Sequence, residues 1–334
     1  MRVPMILRLI LLLAALSFGA TALSGLTLAA TDDPVAGQVP GQSLGSSSDA
    51  DLWRAVRAGQ PQTINIPNRE GAVLIQSEGE NWRNIRNGPI SMIGGWLLTG
   101  VIILICLYFA IRGRIRIEGG RSGILIPRFT QMQRVGHWFV AALFILLSLT
   151  GLLLLYGRYG LPYLIGKEGF AVLASAAMQA HNLFGPLFLA SLVVLFFTFL
   201  KGNIFSREDI WWMAKLGGFF GGHASSKFYN FGEKNWFWMS MSLGFLLSFS
   251  GILLNFPGLL EDRYLQQLAH ISHAIAAIIF IAVGLGHIYL GVFGVEGAVE
   301  GMTTGSVDAN WAKEHHDLWY EEVMAEKAAK SGGE

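Results

Sequence analysis

Two histidines sit fourteen residues apart in one apolar run, His273 and His287 in SHAIAAIIFIAVGLGHIYL. On an α-helix, at ~100° per residue, fourteen steps come to within about 40° of four full turns, so both imidazoles project from nearly one face, about 21 Å apart along the axis. That separation covers most of a hydrocarbon layer roughly 30 Å thick. Two further histidines, His137 and His181, lie near the starts of two other apolar runs. A low-spin b-type haem takes one neutral imidazole on each face of its iron. Four imidazoles on three membrane helices are what two bis-histidine haems at different depths require. A lone intramembrane histidine also serves as a helix-packing residue or a proton relay, but ionisable groups in spans are rare and usually functional.

His270 competes with His273 for the outer position. From His270 to His287 is about 1700° of rotation, which leaves those rings about 100° apart, so one helix face could not serve both haems. His273 is therefore the expected ligand and His270 an interfacial residue. His223, in a loop, and His315 and His316, in a charged tail, read as solvated surface residues.

The elements that must position these groups are membrane spans. Apolar residues make up 52% of the chain and charged residues 14%, with a mean hydropathy of +0.46. A soluble domain carries about 25% charged residues. A net charge of +1 gives no basic field for nucleic acid. The one cysteine, Cys106, lies inside an apolar run, which excludes a disulfide or a cysteine-ligated iron–sulfur cluster within the chain. It reads as a small buried apolar side chain.

Five apolar runs, at about 90–111, 135–157, 172–200, 237–256 and 268–294, each reach the ~20 residues that a span needs. Residues 1–30 read as a secretory signal, with Arg2 and Arg8 ahead of LILLLAALSFGA and small-residue cleavage options near Ala22 or Ala30. Residues 31–88 are polar and periplasmic in expectation. Their first part is a linker, and Ile64, Ile66, Val73 and Ile75 alternate around a turn and predict a small hairpin. The loop 112–134 holds six arginines and the loop 201–236 five Lys or Arg, whereas 158–171 holds Arg158 and Lys167 and 257–267 only Arg263. Positive loops stay in the cytoplasm. The N-terminus left by signal removal is then periplasmic and the C-terminal tail cytoplasmic. Entering each span from the assigned side puts His137 and His287 at the inner level and His181 and His273 at the outer level. The depths match in two pairs.

Small residues must also make room for a macrocycle, and Gly136, Gly151, Gly185, Gly284 and Gly286 lie on the histidine-bearing spans; close helix packing uses glycine equally well. Trp211, Trp212, Trp236, Trp238, Trp311 and Trp319 fall at or beyond span ends, as an aromatic belt does. Arg128 and Arg134 suit either haem propionates or plain positive-inside anchoring.

Several stretches resemble the gamma (cytochrome b556) subunits of membrane-bound formate dehydrogenases: RVGHW at 134–138, HNLFGP at 181–186, KFYNFGEK at 227–234, SHAIAAII at 272–279, GHIYLGVF at 286–293 and GAVEGMTTGSVDANWAKEHHDLWYEE at 297–322. The resemblance covers roughly residues 128–325 and four of the five spans. It implies an all-α membrane protein, a transmembrane bundle whose four-helix dihaem cytochrome b core (128–296) carries one extra N-terminal span (89–112) and a cytoplasmic tail (297–334). It also implies two haem b groups, ligated by His137 with His287 and by His181 with His273. On the same resemblance, electrons from formate are expected to arise in a molybdenum or tungsten alpha subunit, cross an iron–sulfur beta subunit, and reach a quinone, menaquinone or ubiquinone, near the cytoplasmic face of the bacterial inner membrane. The quinone pocket carries over onto His287, Asn230, Gly232 and Glu233, although the compact family form often has Gln where this chain has Glu233.

No segment offers a pocket for formate itself, so no catalytic residue is expected here. Hydrogenase and thiosulfate reductase complexes use related dihaem anchors, and the ligands do not name the donor; the 297–322 stretch favours formate. A haem-free transporter or anchor is a different class, which predicts broken helices or inverted repeats and acidic groups inside the spans.

Overall fold

The computed structural model describes residues 50–60, 77–215, 217, 224–259 and 262–331. The expected signal segment and the hairpin around Ile64 to Ile75 lie outside them. Among the described residues, five helical segments are long and apolar enough to cross a membrane: Gly79–Arg112, Gln131–Tyr159, Leu161–Phe199, Phe231–Asn255 and Arg263–Gly294. They contain helices α3 (Ser91–Arg112), α4 (Gln131–Tyr156), α5 (Leu161–Phe199), α7 (Phe231–Asn255) and α8 (Arg263–Ile288). Two short helices precede them, α1 (Ala50–Arg57) and α2 (Ser77–Ile85), and α2 runs into α3 through a π-turn at Arg86–Ile90. Helix α6 (Arg207–Ala214) joins the two halves of the bundle.

The helices start several residues before the apolar runs do, because their first turns are built from polar caps. At a membrane surface the first N–H groups of a helix have no intrahelical partner. Thr130 and Gln133 satisfy them reciprocally at α4, and Asn230 and Glu233 do so at α7. Asp262 accepts from the N–H groups of Tyr264 and Leu265 at α8. Helix α5 extends far past one bilayer thickness, and the chain breaks helical geometry at Gly166, where φ is +75°.

Four helices close a ring. Helices α4 and α5 form one hairpin and α7 and α8 a second, and α5 packs on α7. Helix α8 meets α4 through Phe280 and Phe144, with ring centres 4.7 Å apart. Leu143, Phe188, Leu192, Phe237, Met241 and Phe280 are buried at the centre. The extra span α3 lies outside the ring against α8. At Gly94 any side chain would run into Ile278 and Tyr156, so glycine permits that approach. The Tyr156 hydroxyl donates to the Ser91 carbonyl at 3.0 Å and ties α3 to the end of α4.

The C-terminal segment folds back on the bundle. Strand β1 (Leu125–Pro127) pairs antiparallel with β2 (Ser306–Asp308), which follows the single turn α9 (Glu300–Thr303). Helices α10 (Ala309–His315) and α11 (Asp317–Ser331) then close a small core of Ile117, Ile126, Val307, Ala312, Trp311 and Trp319. We call the face of the bundle that carries this cap the tail end and the opposite face the far end.

Three expectations are corrected here. Trp311 and Trp319 are core residues of the cap, not members of an aromatic belt. His316 is not solvated: its side chain is 1% exposed. Arg128 is neither a free propionate partner nor a plain surface anchor. It is buried among Phe129, Phe228, Trp311 and Trp319, donates to the Phe228 carbonyl at 2.8 Å and pairs with Glu233 at 3.0 Å. The cap brings together residues more than 180 positions apart, which no local pattern announces.

Candidate functional site

The four intramembrane histidines meet in two pairs. His137 of α4 faces His287 of α8 at the tail end, with ring centres 6.2 Å apart. His181 of α5 faces His273 of α8 toward the far end, at 6.1 Å. An imidazole nitrogen binds iron at about 2 Å and the ring centre lies about 1.2 Å behind it, so two rings on opposite faces of one iron have centres roughly 6 Å apart. Both gaps therefore match a six-coordinate haem iron between neutral imidazoles. His270 does not face His181; its ring meets that of Trp82 edge-on at 5.3 Å. His223 lies outside the described residues.

The far-end pair is held by a duplicated device. Thr150 Oγ1 donates to the Leu146 carbonyl at 2.8 Å and lies 2.8 Å from His181 Nδ1. Ser250 Oγ donates to the Leu246 carbonyl at 2.7 Å and lies 3.0 Å from His273 Nδ1. A hydroxyl whose proton goes to a carbonyl can only accept, so this arrangement suits the tautomer with the proton on Nδ1 and Nε2 free for a metal. The next residue completes the device. A Cβ on Gly151 would stand 3.3 Å from His181 Cε1, and one on Gly251 would stand 3.2 Å from His273 Cε1. Any side chain at either position would crowd the ring by a few tenths of an ångström, so glycine lets each ring lie close against the neighbouring helix.

Thr150, Ser250 and Gly251 were not singled out from the sequence, yet a signal exists. LLSLTGLLL at 146–154 recurs as LLSFSGILL at 246–254, one copy on the first helix of each hairpin. The two copies run in the same direction through the bundle, which is a parallel rather than an inverted repeat.

The tail-end pair is held differently. The indole of Trp236 stacks on His287 with centres 4.4 Å apart and planes 10° from parallel. His137 Nδ1 has no hydrogen-bond partner among the described residues. Of the other glycines, Gly284 serves packing, since a Cβ there would stand 3.0 Å from Phe144. Gly136, Gly185 and Gly286 face open space.

Asn230, Gly232 and Glu233 sit at the start of α7, one turn before Trp236. The Asn230 side chain accepts from the Glu233 N–H, and Glu233 accepts from the Asn230 N–H, each at 2.9 Å. The second carboxylate oxygen binds Arg128. His316 Nδ1 lies 2.9 Å from the Lys227 carbonyl, and its Nε2 stands 3.7 Å from Glu233. Burial, then the neighbouring Arg128 charge, holds this imidazole well below its usual pKa. Gly232 lies against Trp212, where a Cβ would approach the ring to 3.3 Å. A cleft of about 530 Å³ opens beside this corner, lined by Phe205, Asp209, Ile210, Met213 and Phe231 among others; Asn230, Gly232, Glu233 and His287 do not line it. Beneath it, Lys234 and Asp209 form a buried ion pair at 2.8 Å.

A family model described as prokaryotic cytochrome b561 matches residues 128–305. The cytochrome b556(fdo) subunit of formate dehydrogenase from Escherichia coli strain K12 is 31% identical over 202 residues, covering 59% of this chain and 93% of its own length. The nitrate-inducible cytochrome b556(Fdn) subunit of the same organism is 31% identical over 216 residues, covering 63% of this chain and 97% of its own. A formate dehydrogenase cytochrome b556 subunit of Haemophilus influenzae is 26% identical over 209 residues, covering 60% of this chain and 85% of its own.

Proposed function

The chain belongs to the prokaryotic cytochrome b561 family, and we propose that it is the membrane cytochrome b subunit of a formate dehydrogenase, carrying electrons from a periplasmic iron–sulfur partner to a membrane quinone. It is a multi-pass membrane protein of b-haem electron transfer, with formate dehydrogenase cytochrome b556 subunits as homologues. The finer reading assigns it two haems, one between His137 and His287 and one between His181 and His273. The observation that carries this is the pair of ring separations, 6.2 and 6.1 Å, each the span of a bis-imidazole iron.

Haem b supplies one-electron redox chemistry at each level. The chain's own residues do the rest. Thr150 and Ser250 fix the proton on Nδ1 of the far-end ligands, Trp236 fixes the plane of His287, and the packed aromatic core excludes water between the two levels. Loop charges support a cytoplasmic tail end, since the arginine-rich segment 112–134 and the segment 201–236 both lie there. The far end then faces the periplasm and an iron–sulfur beta subunit, which receives electrons from a molybdenum or tungsten alpha subunit. Quinone reduction consumes protons as well as electrons. Near the tail end, Glu233 is a partly exposed carboxylate held by Arg128 and open to cytoplasmic water, which suits a quinone site shared with Asn230, Gly232 and His287. Menaquinone and ubiquinone both fit this description.

The test is a reduced-minus-oxidised spectrum of the purified complex with a haem-to-chain ratio. Two b haems per chain are expected, bleached on oxidation and restored by formate. His273→Ala and His137→Ala should each leave one. A colourless chain, or a ratio unchanged in both variants, overturns the assignment, and co-purification of a hydrogenase or a thiosulfate reductase in place of a formate-oxidising subunit overturns the donor.

A further inference from the structure

The N-terminal span carries a feature that the electron path does not use. Trp82 and Arg86 lie one turn apart on the helical segment that precedes α3, and this segment packs on the start of α8. There the Trp82 ring meets the His270 ring edge-on at 5.3 Å. Trp82 Nε1, Arg86 Nε and His270 Nδ1 are all buried, and each lacks a hydrogen-bond partner among the described residues. The indole and guanidinium nitrogens are donors in every state, and His270 Nδ1 is one in its Nδ1–H tautomer; leaving such buried donors unmade is costly, so the corner marks an absent acceptor. A second cation stands nearby. Asn87 Oδ1 accepts from Arg86 at 2.9 Å and from Arg158 at 3.1 Å, and no carboxylate pairs with either guanidinium among the described residues. Donors and positive charge without a negative partner make a site for an oxyanion.

Its place in the bundle says which oxyanion. His270 is one turn outward from His273 on α8. A cleft of about 470 Å³ opens at the same level, lined by Trp82, Gln266 and His270, by Asp262 and Arg263 at the start of α8, and by Leu254, one turn beyond Ser250. His270 and Leu254 thus put the cleft about one helical turn farther toward the far end than His273 and Ser250. A haem bears ionised propionates, and a carboxylate avoids hydrocarbon by turning to the nearer polar face and to any guanidinium there. We propose that Trp82, Arg86 and His270 form an oxyanion site that holds a propionate carboxylate of the haem bound between His181 and His273. Two of its three donors come from a segment outside the family match, which begins at residue 128. The inference rests on the assignment of that histidine pair as haem ligands.

The experiment is a spectroscopic redox titration of the purified complex carrying Arg86→Gln, Arg86→Lys or Trp82→Phe. Arg86→Gln removes a positive charge beside the far-end haem. At fixed potential it should raise the oxidised-to-reduced ratio of that haem about tenfold, a shift of about 59 mV to lower potential, and leave the other haem unmoved. Arg86→Lys should shift it less. Trp82→Phe keeps the charge and the ring but deletes the indole donor; a smaller shift in the same direction, with a displaced propionate bending band in the resonance Raman spectrum, distinguishes direct contact from a charge felt at a distance. Unchanged titrations and bands in Arg86→Gln and Trp82→Phe, with haem content intact, overturn the proposal. Loss of bound phospholipid from Arg86→Gln without any change in potential also overturns it, because the occupant would then be a lipid phosphate. If the wild-type complex lacks the far-end haem altogether, it is the ligand assignment that fails, and the two failures are told apart.

Discussion

Thr150→Val and Ser250→Ala should raise the midpoint potential of the far-end haem and leave the tail-end haem unchanged. On the proposed ligation, with Nε2 on the iron, each hydroxyl accepts the Nδ1–H of a ligand imidazole, at 2.8 Å for Thr150 with His181 and 3.0 Å for Ser250 with His273. An imidazole bound to ferric iron has a more acidic N–H than one bound to ferrous iron, so its hydrogen bond is the stronger of the two. Deleting the acceptor therefore costs the oxidised state more, and the potential rises. A neutral hydrogen bond contributes about 1 kcal/mol net. With 59 mV and about 1.4 kcal/mol per tenfold change in a one-electron equilibrium, a difference of that size is about 40 mV. The expected rise is roughly 20–40 mV per variant and about twice that for the double variant, because the two bonds act on opposite faces of one iron. Potentiometric titration of the purified complex, followed at the haem absorption bands, reads it directly. Thr150→Ser should titrate as the wild type. Equal shifts in both haems, or no shift with full haem retention, would refute the account of the hydroxyls as acceptors.

Three further outcomes are expected. Gly151→Val should empty the far-end site and spare the tail-end one, because its Cβ alone would stand 3.3 Å from His181 Cε1; the haem-to-chain ratio halves if this is right. The cap should weaken in acid: His316 is held well below its ordinary value near 6.5, so only the unfolded chain takes up its proton as the pH falls. Its stabilising contribution is complete above about pH 6.5 and declines below it; limited proteolysis of the tail at pH 7.5 and 5.5 should show this, and His316→Gln should remove the dependence. Lys234→Met strands Asp209, whose side chain is 6% exposed, and should cost about 3–5 kcal/mol. Its melting temperature should fall sharply and recover in part when Asp209→Asn is added.

The spans and the fourteen-residue histidine interval were legible because membrane burial and helix period are local properties. Hydropathy finds a span wherever it stands, and rotation per residue ranks His273 above His270 with no knowledge of the partner helix. Segment ends were less legible: the polar first turns at Thr130 and Asn230 extend α4 and α7 beyond their apolar runs. The cap was illegible for a different reason. Arg128, His316, Trp311 and Trp319 look like loop and tail residues until β1 and β2, each three residues long, bring their segments together. The hydroxyl–glycine pairs at 150–151 and 250–251 lay between these extremes, since their signal was a recurrence between hairpins and not a pattern within one helix.

Both histidine pairs join α8 to the opposite hairpin, His287 reaching α4 and His273 reaching α5. If each pair holds a haem as proposed, each coordination axis is a cross-brace between the two halves of the molecule and never a link inside one half. Severing the chain in the connector around α6 should leave two halves still joined by the packing of α5 on α7 and by the pairing of β1 with β2, and porphyrin starvation should loosen that contact rather than separate them. Pigment loading would then stiffen a bundle already assembled by its core and cap, and unloaded chains would be the looser ones, more open to membrane proteases.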